Sequence, residues 1–123
     1  MRKRHVVALS GECADEVFGG YPWFHRREFF ESGTFPWQID PGARFSVLDS
    51  ALLAELELDE FTRARCASLV KKTPRLDGEP PEDARRREIA YLNLYGFMQT
   101  LLERKDRMSM ACGLEVRVPF ADA

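Results

Sequence analysis

The stretch ALSGECADEVFGGYPWF, residues 8–24, sets three carboxylates (Glu12, Asp15, Glu16) and three glycines (Gly11, Gly19, Gly20) between an apolar run and an aromatic run. The run it grows out of, HVVAL at residues 5–9, is rich in valine and ends at Ser10-Gly11. A short continuous apolar segment of this kind reads as a buried strand of a parallel sheet. One strand cannot make a sheet, so its neighbours are expected from elsewhere. Ser10 is a candidate helix cap and Gly19-Gly20 a stop, which places a short helix between them.

In open α/β sheets, ligands sit at the carboxyl ends of the strands, where Ser10 to Glu16 lie. Ser10 and Gly11 offer a hydroxyl and an approachable backbone to a nucleotide. A helix starting near Ala14 adds free N–H groups for an anion. Carboxylates repel phosphate, and the usual reason to place them there is a magnesium ion. A second carboxylate suits proton transfer. The plainer alternative is that Asp15 and Glu16 favour a helix's first turn through its dipole while Glu12 is solvated. Spacing leaves both open.

Composition narrows the classes. The chain has 123 residues, 45% of them hydrophobic, enough for a packed core and for one domain of ordinary size. A net charge of −2 argues against a general nucleic-acid or membrane-surface role. No apolar run approaches the ~20 residues of a membrane span. The apolar run behind the basic start, Val6 to Leu9, is shorter than the roughly 7–15 residues of a signal-peptide core. Cys13, Cys66 and Cys112 are odd in number and widely spaced, which favours reduced thiols in the cytoplasm over a disulfide or zinc framework.

Along the rest of the chain, YPWFHRREFFES suggests a second helix starting near Pro22. GTFPWQIDPG, residues 33–42, reads as a loop. Residues 45–72 read as two helices broken near Leu58-Asp59. KKTPRLDGEPPED reads as an exposed linker. A long helix is expected from Asp83 to about Lys105, with Ile89, Tyr91, Leu92, Leu94, Tyr95, Met98, Leu101 and Leu102 on more than one face, as in a central helix. Alternation in LEVRVPF suggests a short extended segment after Gly113. One strand followed by helices, with no closing element, suggests a piece of a larger α/β protein.

Two blocks carry a family resemblance. LSGECADEVFGGYPWF resembles the Ser-Gly-Glu-Gly-Ala-Asp-Glu, Phe-Gly-Gly-Tyr signature of glutamine-dependent asparagine synthetases, and RKDRMSMACGLEVRVPFAD resembles the second signature of that family's synthetase domain. They cover residues 6–25 and about 101–122, in the family's order. The resemblance implies an α/β parent fold of the adenine nucleotide alpha-hydrolase type. The present chain would be its central, mostly α-helical part with one N-terminal parallel-type strand.

The resemblance also implies chemistry. ATP activates the side-chain carboxylate of aspartate as an acyl-adenylate, and glutamine-derived ammonia attacks it to give asparagine. By match, Ser10 and Gly11 contact the nucleotide. Glu12 and Arg104 are catalytic, with Glu12 at the acyl group. Asp15 ligates Mg2+, and Tyr21 and Arg107 bind substrate. For Tyr21 a packed aromatic is the alternative; for the arginines, a helix-end charge. Asp106, Glu115 and Arg117 are expected to be structural.

Cys13 stands where the family has glycine, and a left-handed backbone there would cost roughly 1 kcal/mol or more. Cys112 stands where histidine is common and is expected to be buried. The Ser-Gly-Gly-x-Asp-Ser pyrophosphate loop, the Met-Cys-Gly glutaminase start and the downstream lysine segment are absent from residues 1–123. The isolated chain is therefore expected to be a partial domain with negligible synthetase activity. The alternatives are a β-lactam-synthetase-like or other carboxylate amidotransferase, or a non-catalytic remnant. A second copy or a complementing chain with the missing strands would then be the protein partner.

Overall fold

The computed structural model describes residues 4–38 and 45–122. The expected loop at 33–42 is thus seen only in its first part, and Pro41-Gly42 lie outside the described residues. The described chain forms two compact units, Met1–Tyr21 with Asn93–Ala123, and Pro22–Leu92.

In the first unit, β1 (Val7–Leu9) is followed by the short helix α1 (Ala14–Phe18). The unit resumes with a π-type segment, Asn93–Met98, then α6 (Gln99–Ala111) and β2 (Glu115–Arg117). β1 and β2 pair in parallel, with Val7 opposite Glu115 and Leu9 opposite Arg117. The strand's neighbour therefore comes from this chain, out of the alternating LEVRVPF segment, and not only from elsewhere. The expectation of a buried strand fails: Val6 is 57% and Leu9 75% exposed. With two strands, no described layer covers their apolar side chains. α6 ends in a Schellman turn, where Leu114 N–H reaches Ser109 O (3.0 Å) and Gly113 N–H reaches Met110 O (2.8 Å). Gly113 at φ 66° supplies the left-handed residue the turn needs.

In the second unit, Pro22–Phe24 is a 3₁₀ turn and α2 spans Arg27–Phe30, so the helix expected near Pro22 is split in two. A further 3₁₀ turn covers Pro36–Gln38. α3 (Ser50–Leu56) is capped by Asp49, whose carboxylate accepts from the N–H groups of Ala51 and Leu52. α4 (Leu58–Lys72) follows directly, and the break falls at Glu57, held at φ 45°. α5 spans Pro81–Leu92. The long helix expected over 83–105 is thus α5, a π-type segment and α6. The core of the second unit gathers Phe35, Cys66, Leu69 and Leu92, flanked by Trp37, Val70 and Tyr91. Ile89 and Leu92 are fully buried. Each such side chain contributes roughly 1.5–3 kcal/mol.

One side chain ties α5 to the loop after α2. Arg85 donates from Nε to Phe30 O (2.7 Å), from Nη2 to Ser32 O (2.7 Å) and from Nη1 to Glu88 Oε2 (2.8 Å). Burial opposes the Glu88 charge, but hydrogen bonds from Arg85 and Arg75 prevail and hold its carboxyl below the ordinary range. The linker expected over 71–83 is only 73–80, its ends being helical and Thr73 buried, and Glu79 anchors it by accepting from Leu76 N–H (3.1 Å) and from Arg87. We expect Arg85→Ala to orphan two carbonyls, to leave the Glu88 carboxylate to Arg75 alone, and to destabilise by about 2–3 kcal/mol in urea unfolding. Arg85→Lys should recover only part of this, because an ammonium lacks the planar fork.

Candidate active site

The turn after β1 extends the ladder by one bond, since Ser10 N–H donates to Arg117 O (2.9 Å). Ser10 is not the cap of α1. Its hydroxyl accepts the N–H of Glu12 (3.2 Å), which folds the turn back on itself, and α1 starts only after Cys13. Cys13 sits at φ 74°, the left-handed conformation on which its strain depended. Its side chain is only 2% exposed, so thiol packing offsets part of that cost. A side chain at Gly11 would meet nothing within 4 Å, which leaves open space over this backbone. The two stop glycines act differently. Gly19 takes φ 68° as the cap of α1, whereas a Cβ at Gly20 would stand 2.1 Å from Asp15 Oδ1. Gly20 therefore makes room for the Asp15 carboxylate.

α6 brings the second block onto this turn. Lys105 Nζ donates to Ser10 Oγ (2.7 Å) and forms an ion pair with Glu12 Oε2, itself sealed from solvent. Their side chains are 29% and 15% exposed. Arg104 Nη2 lies 3.5 Å from Glu12 Oε1 but is 65% exposed. Exposed pairs of that kind contribute about 0–1 kcal/mol, so Lys105 is the dominant cation at Glu12. Arg107 turns away and pairs with Glu103 one turn back, exposed on the same helix. The structure thus joins Ser10, Glu12 and Arg104, and leaves Arg107 outside the cluster. Lys105 was missed in the sequence. The signal was present: Leu101, Leu102, Lys105 and Ser109 form the less exposed stripe of α6, and a cation on such a stripe needs a partner.

Tyr21 closes the far end of the turn. Its hydroxyl donates to Glu16 Oε1 (2.9 Å) and its ring meets Phe97 edge-on at 5.6 Å. Glu16 is 5% exposed, and its Oε2 has no hydrogen-bond partner among the described residues. Burial first, then the bond to Glu16 and its charge, push the Tyr21 phenol far above its ordinary 10.0. Burial and the carboxylates of Glu16 and Glu12 likewise raise the Cys13 thiol, with Lys105 opposing. The thiol stays protonated and is a poor nucleophile.

For magnesium, Asp15 offers one exposed carboxylate, packed against Gly20, and no group of three or more acidic, histidine or cysteine ligands exists among the described residues. That donor set fits Mg2+, which takes one or two carboxylates and fills its shell with water and phosphate oxygens. It does not form a closed cage.

The asparagine synthase family model matches residues 1–123. The chain belongs to the asparagine synthase family. It is 52% identical over 122 residues to "Asparagine synthetase [glutamine-hydrolyzing] 3" of Bacillus subtilis (strain 168), covering 99% of this chain and 20% of that protein. It is 26% identical over 153 positions to "Asparagine synthetase [glutamine-hydrolyzing] 1" of the same organism, covering 98% of this chain and 24% of that one. The chain thus spans about a fifth of the length of the curated relatives it matches. The family implies an α/β fold, and the described residues contribute helices and one parallel strand pair. No described helix is long and apolar enough to cross a membrane.

Within this family segment, the expectation for Cys112 is corrected. It is exposed, because it lies at the solvent-facing end of α6, whereas Cys13 and Cys66 are buried. Native labelling with a thiol reagent should therefore modify Cys112 alone, with Cys13 and Cys66 reacting after denaturation; rapid labelling of Cys13 in the native state would contradict its burial. Tyr21 predicts a pH effect. Its folded pKa is raised, so folding favours the neutral phenol, and the stability it contributes is complete below pH 10.0 and lost as the pH rises beyond it. Tyr21→Phe should cost about 1–3 kcal/mol near neutrality by leaving Glu16 unpaired. Denaturant titrations at stepped pH should also show a smaller loss of stability above pH 10.0 in the variant than in the wild type.

Proposed function

We propose that this segment supplies part of the adenylating site of an ATP-dependent asparagine synthetase, which forms β-aspartyl-AMP from aspartate and ATP and amidates it with glutamine-derived ammonia. The observation that carries this is the meeting of both signature blocks on one turn. Ser10 and Glu12 come from the first, Arg104 and Lys105 from the second, and Gly11 between Ser10 and Glu12 has open space beside it. Ser10 and Gly11 hold the adenylate part of ATP. Glu12 stands at the acyl group and takes a proton from the attacking amine, with Arg104 beside it as the anion-binding cation. Asp15 holds Mg2+, which when bound offsets the phosphate charge. Tyr21 and Arg107 belong to the substrate-binding role, Arg107 from its exposed place on α6. Such an enzyme works in the cytoplasm on small-molecule substrates, without nucleic acid or membrane partners.

A second reading draws on the uncovered strand pair. Val6 and Leu9 are exposed apolar residues on a two-stranded sheet, and such a sheet is marginal by itself. On that reading the segment works only against strands supplied by further polypeptide, in the same chain or another. Both readings predict that the isolated 123-residue segment releases no pyrophosphate from ATP with aspartate, magnesium and ammonia. The full-length polypeptide carrying it should release pyrophosphate in an aspartate-dependent way. Glu12→Gln should lower that rate by about 10²-fold or more, in line with loss of a proton-transfer group. Aspartate-independent turnover, or an unaffected Glu12→Gln, would remove the synthetase assignment.

A further inference from the structure

We propose that Lys105 is a positioning residue of this site, which fixes Glu12 and leaves the Ser10 hydroxyl only as a hydrogen-bond donor for the nucleotide. The inference rests on the synthetase reading above and assigns a role that neither signature block suggested.

The geometry is specific. A serine hydroxyl has one hydrogen and two lone pairs. At Ser10 both lone pairs are in use, one by the Glu12 N–H at 3.2 Å and one by Lys105 Nζ at 2.7 Å. Only the hydrogen remains, so Ser10 can meet a ligand solely as a donor. It therefore selects an acceptor, such as a phosphate, ribose or ring-nitrogen atom of ATP. With Lys105 removed, one lone pair is freed and the hydroxyl can rotate to accept instead.

The same ammonium holds the Glu12 carboxylate. Glu12 Oε2 is shut off from water, so without Lys105 it would be a buried charge lacking its closest cation. Arg104 cannot substitute, because it is mostly exposed and reaches only Oε1 at 3.5 Å. Lys105 itself is held by its place on the less exposed stripe of α6, beside Leu101, Leu102 and Ser109. Two side chains of the turn are thus aimed by one side chain of a rigid helix. Errors of about 1 Å in such placement cost on the order of 10²-fold in rate.

The test uses the full-length polypeptide that carries this segment, with ATP and aspartate as probes. Lys105→Met removes both charge and donor at similar length. We expect ATP affinity, measured by calorimetric titration, to fall about tenfold, the loss of one oriented hydrogen bond to a charged ligand. Aspartate-dependent pyrophosphate release at saturating ATP should fall roughly 10–100-fold. Lys105→Arg, which restores a charged donor, should recover most of the ATP affinity and keep the melting temperature near wild type, whereas Lys105→Met should lower it by leaving the Glu12 carboxylate without its cation. Should Lys105→Met fail to fold, Lys105→Gln is read in its place, with ATP affinity held and turnover lost. A folded Lys105→Met with affinity and turnover within about twofold of wild type overturns the proposal and leaves the synthetase reading standing. A wild-type polypeptide that neither binds ATP nor releases pyrophosphate overturns both.

Discussion

The parallel pairing of β1 with β2 is the constraint on which the candidate site depends. Parallel strands cannot be joined by a tight turn and need a long crossover. Here the crossover is nearly the whole chain, from Ser10 to Leu114. Its two closing bonds, Glu115 N–H to Val6 O and Ser10 N–H to Arg117 O, fix where the far end of the chain meets the near end. α6 leads into β2 through the Schellman turn at Gly113, so the register of the strands also sets the register of the helix. A shift of one residue would carry Lys105 off the turn and reverse the faces of the strand. The chemistry of Glu12 is therefore a consequence of strand pairing as much as of local sequence.

Charge at the turn follows from that placement. Three carboxylates in five residues would repel one another in an open loop, yet here each has a separate environment. Glu12 faces Lys105, Glu16 is buried against the Tyr21 hydroxyl, and Asp15 lies in solvent against Gly20. Separation of this sort lets one carboxylate be held by a cation, one be buried and one stay exposed. The cost is visible in the same residues: Cys13 in a left-handed conformation and Glu16 with an oxygen lacking a hydrogen bond. Strain and unsatisfied polar atoms gather where a backbone is held for function rather than for packing.

Much of this was legible beforehand, and the misses have physical causes. A strand within 5–9, though not its burial, the helix stop at Gly19-Gly20, the helix break beside Leu58 and the apolar positions Leu69, Ile89 and Leu92 follow from local pattern. Both signature blocks could be read only through their resemblance to a known family, since residue types and spacing left a solvated acidic turn open. Lys105 was hidden among Arg104, Asp106 and Arg107, since only helical phase separates an inward cation from outward ones. Ser10 looked like a cap because serine hydroxyls bond nearby N–H groups in turns and caps alike, and the ladder bond to Arg117 decided between them. The π-type segment at Asn93–Met98 has no compositional mark, as its wider turn depends on what its side chains meet.

The exposed faces of the strand pair extend the same logic. Val6, Val7 and Leu9 are apolar residues of a kind a parallel sheet buries on both sides, and the described chain leaves them open to solvent. The turn itself needs no such cover, since the hydrogen bonds of Ser10, Glu12 and Lys105 are internal to one compact unit. Covering the strands would then add rigidity to a site whose donors and carboxylates are already aimed. On the synthetase reading, any layer that covers these strands would stiffen the turn, and ATP binding should tighten with it.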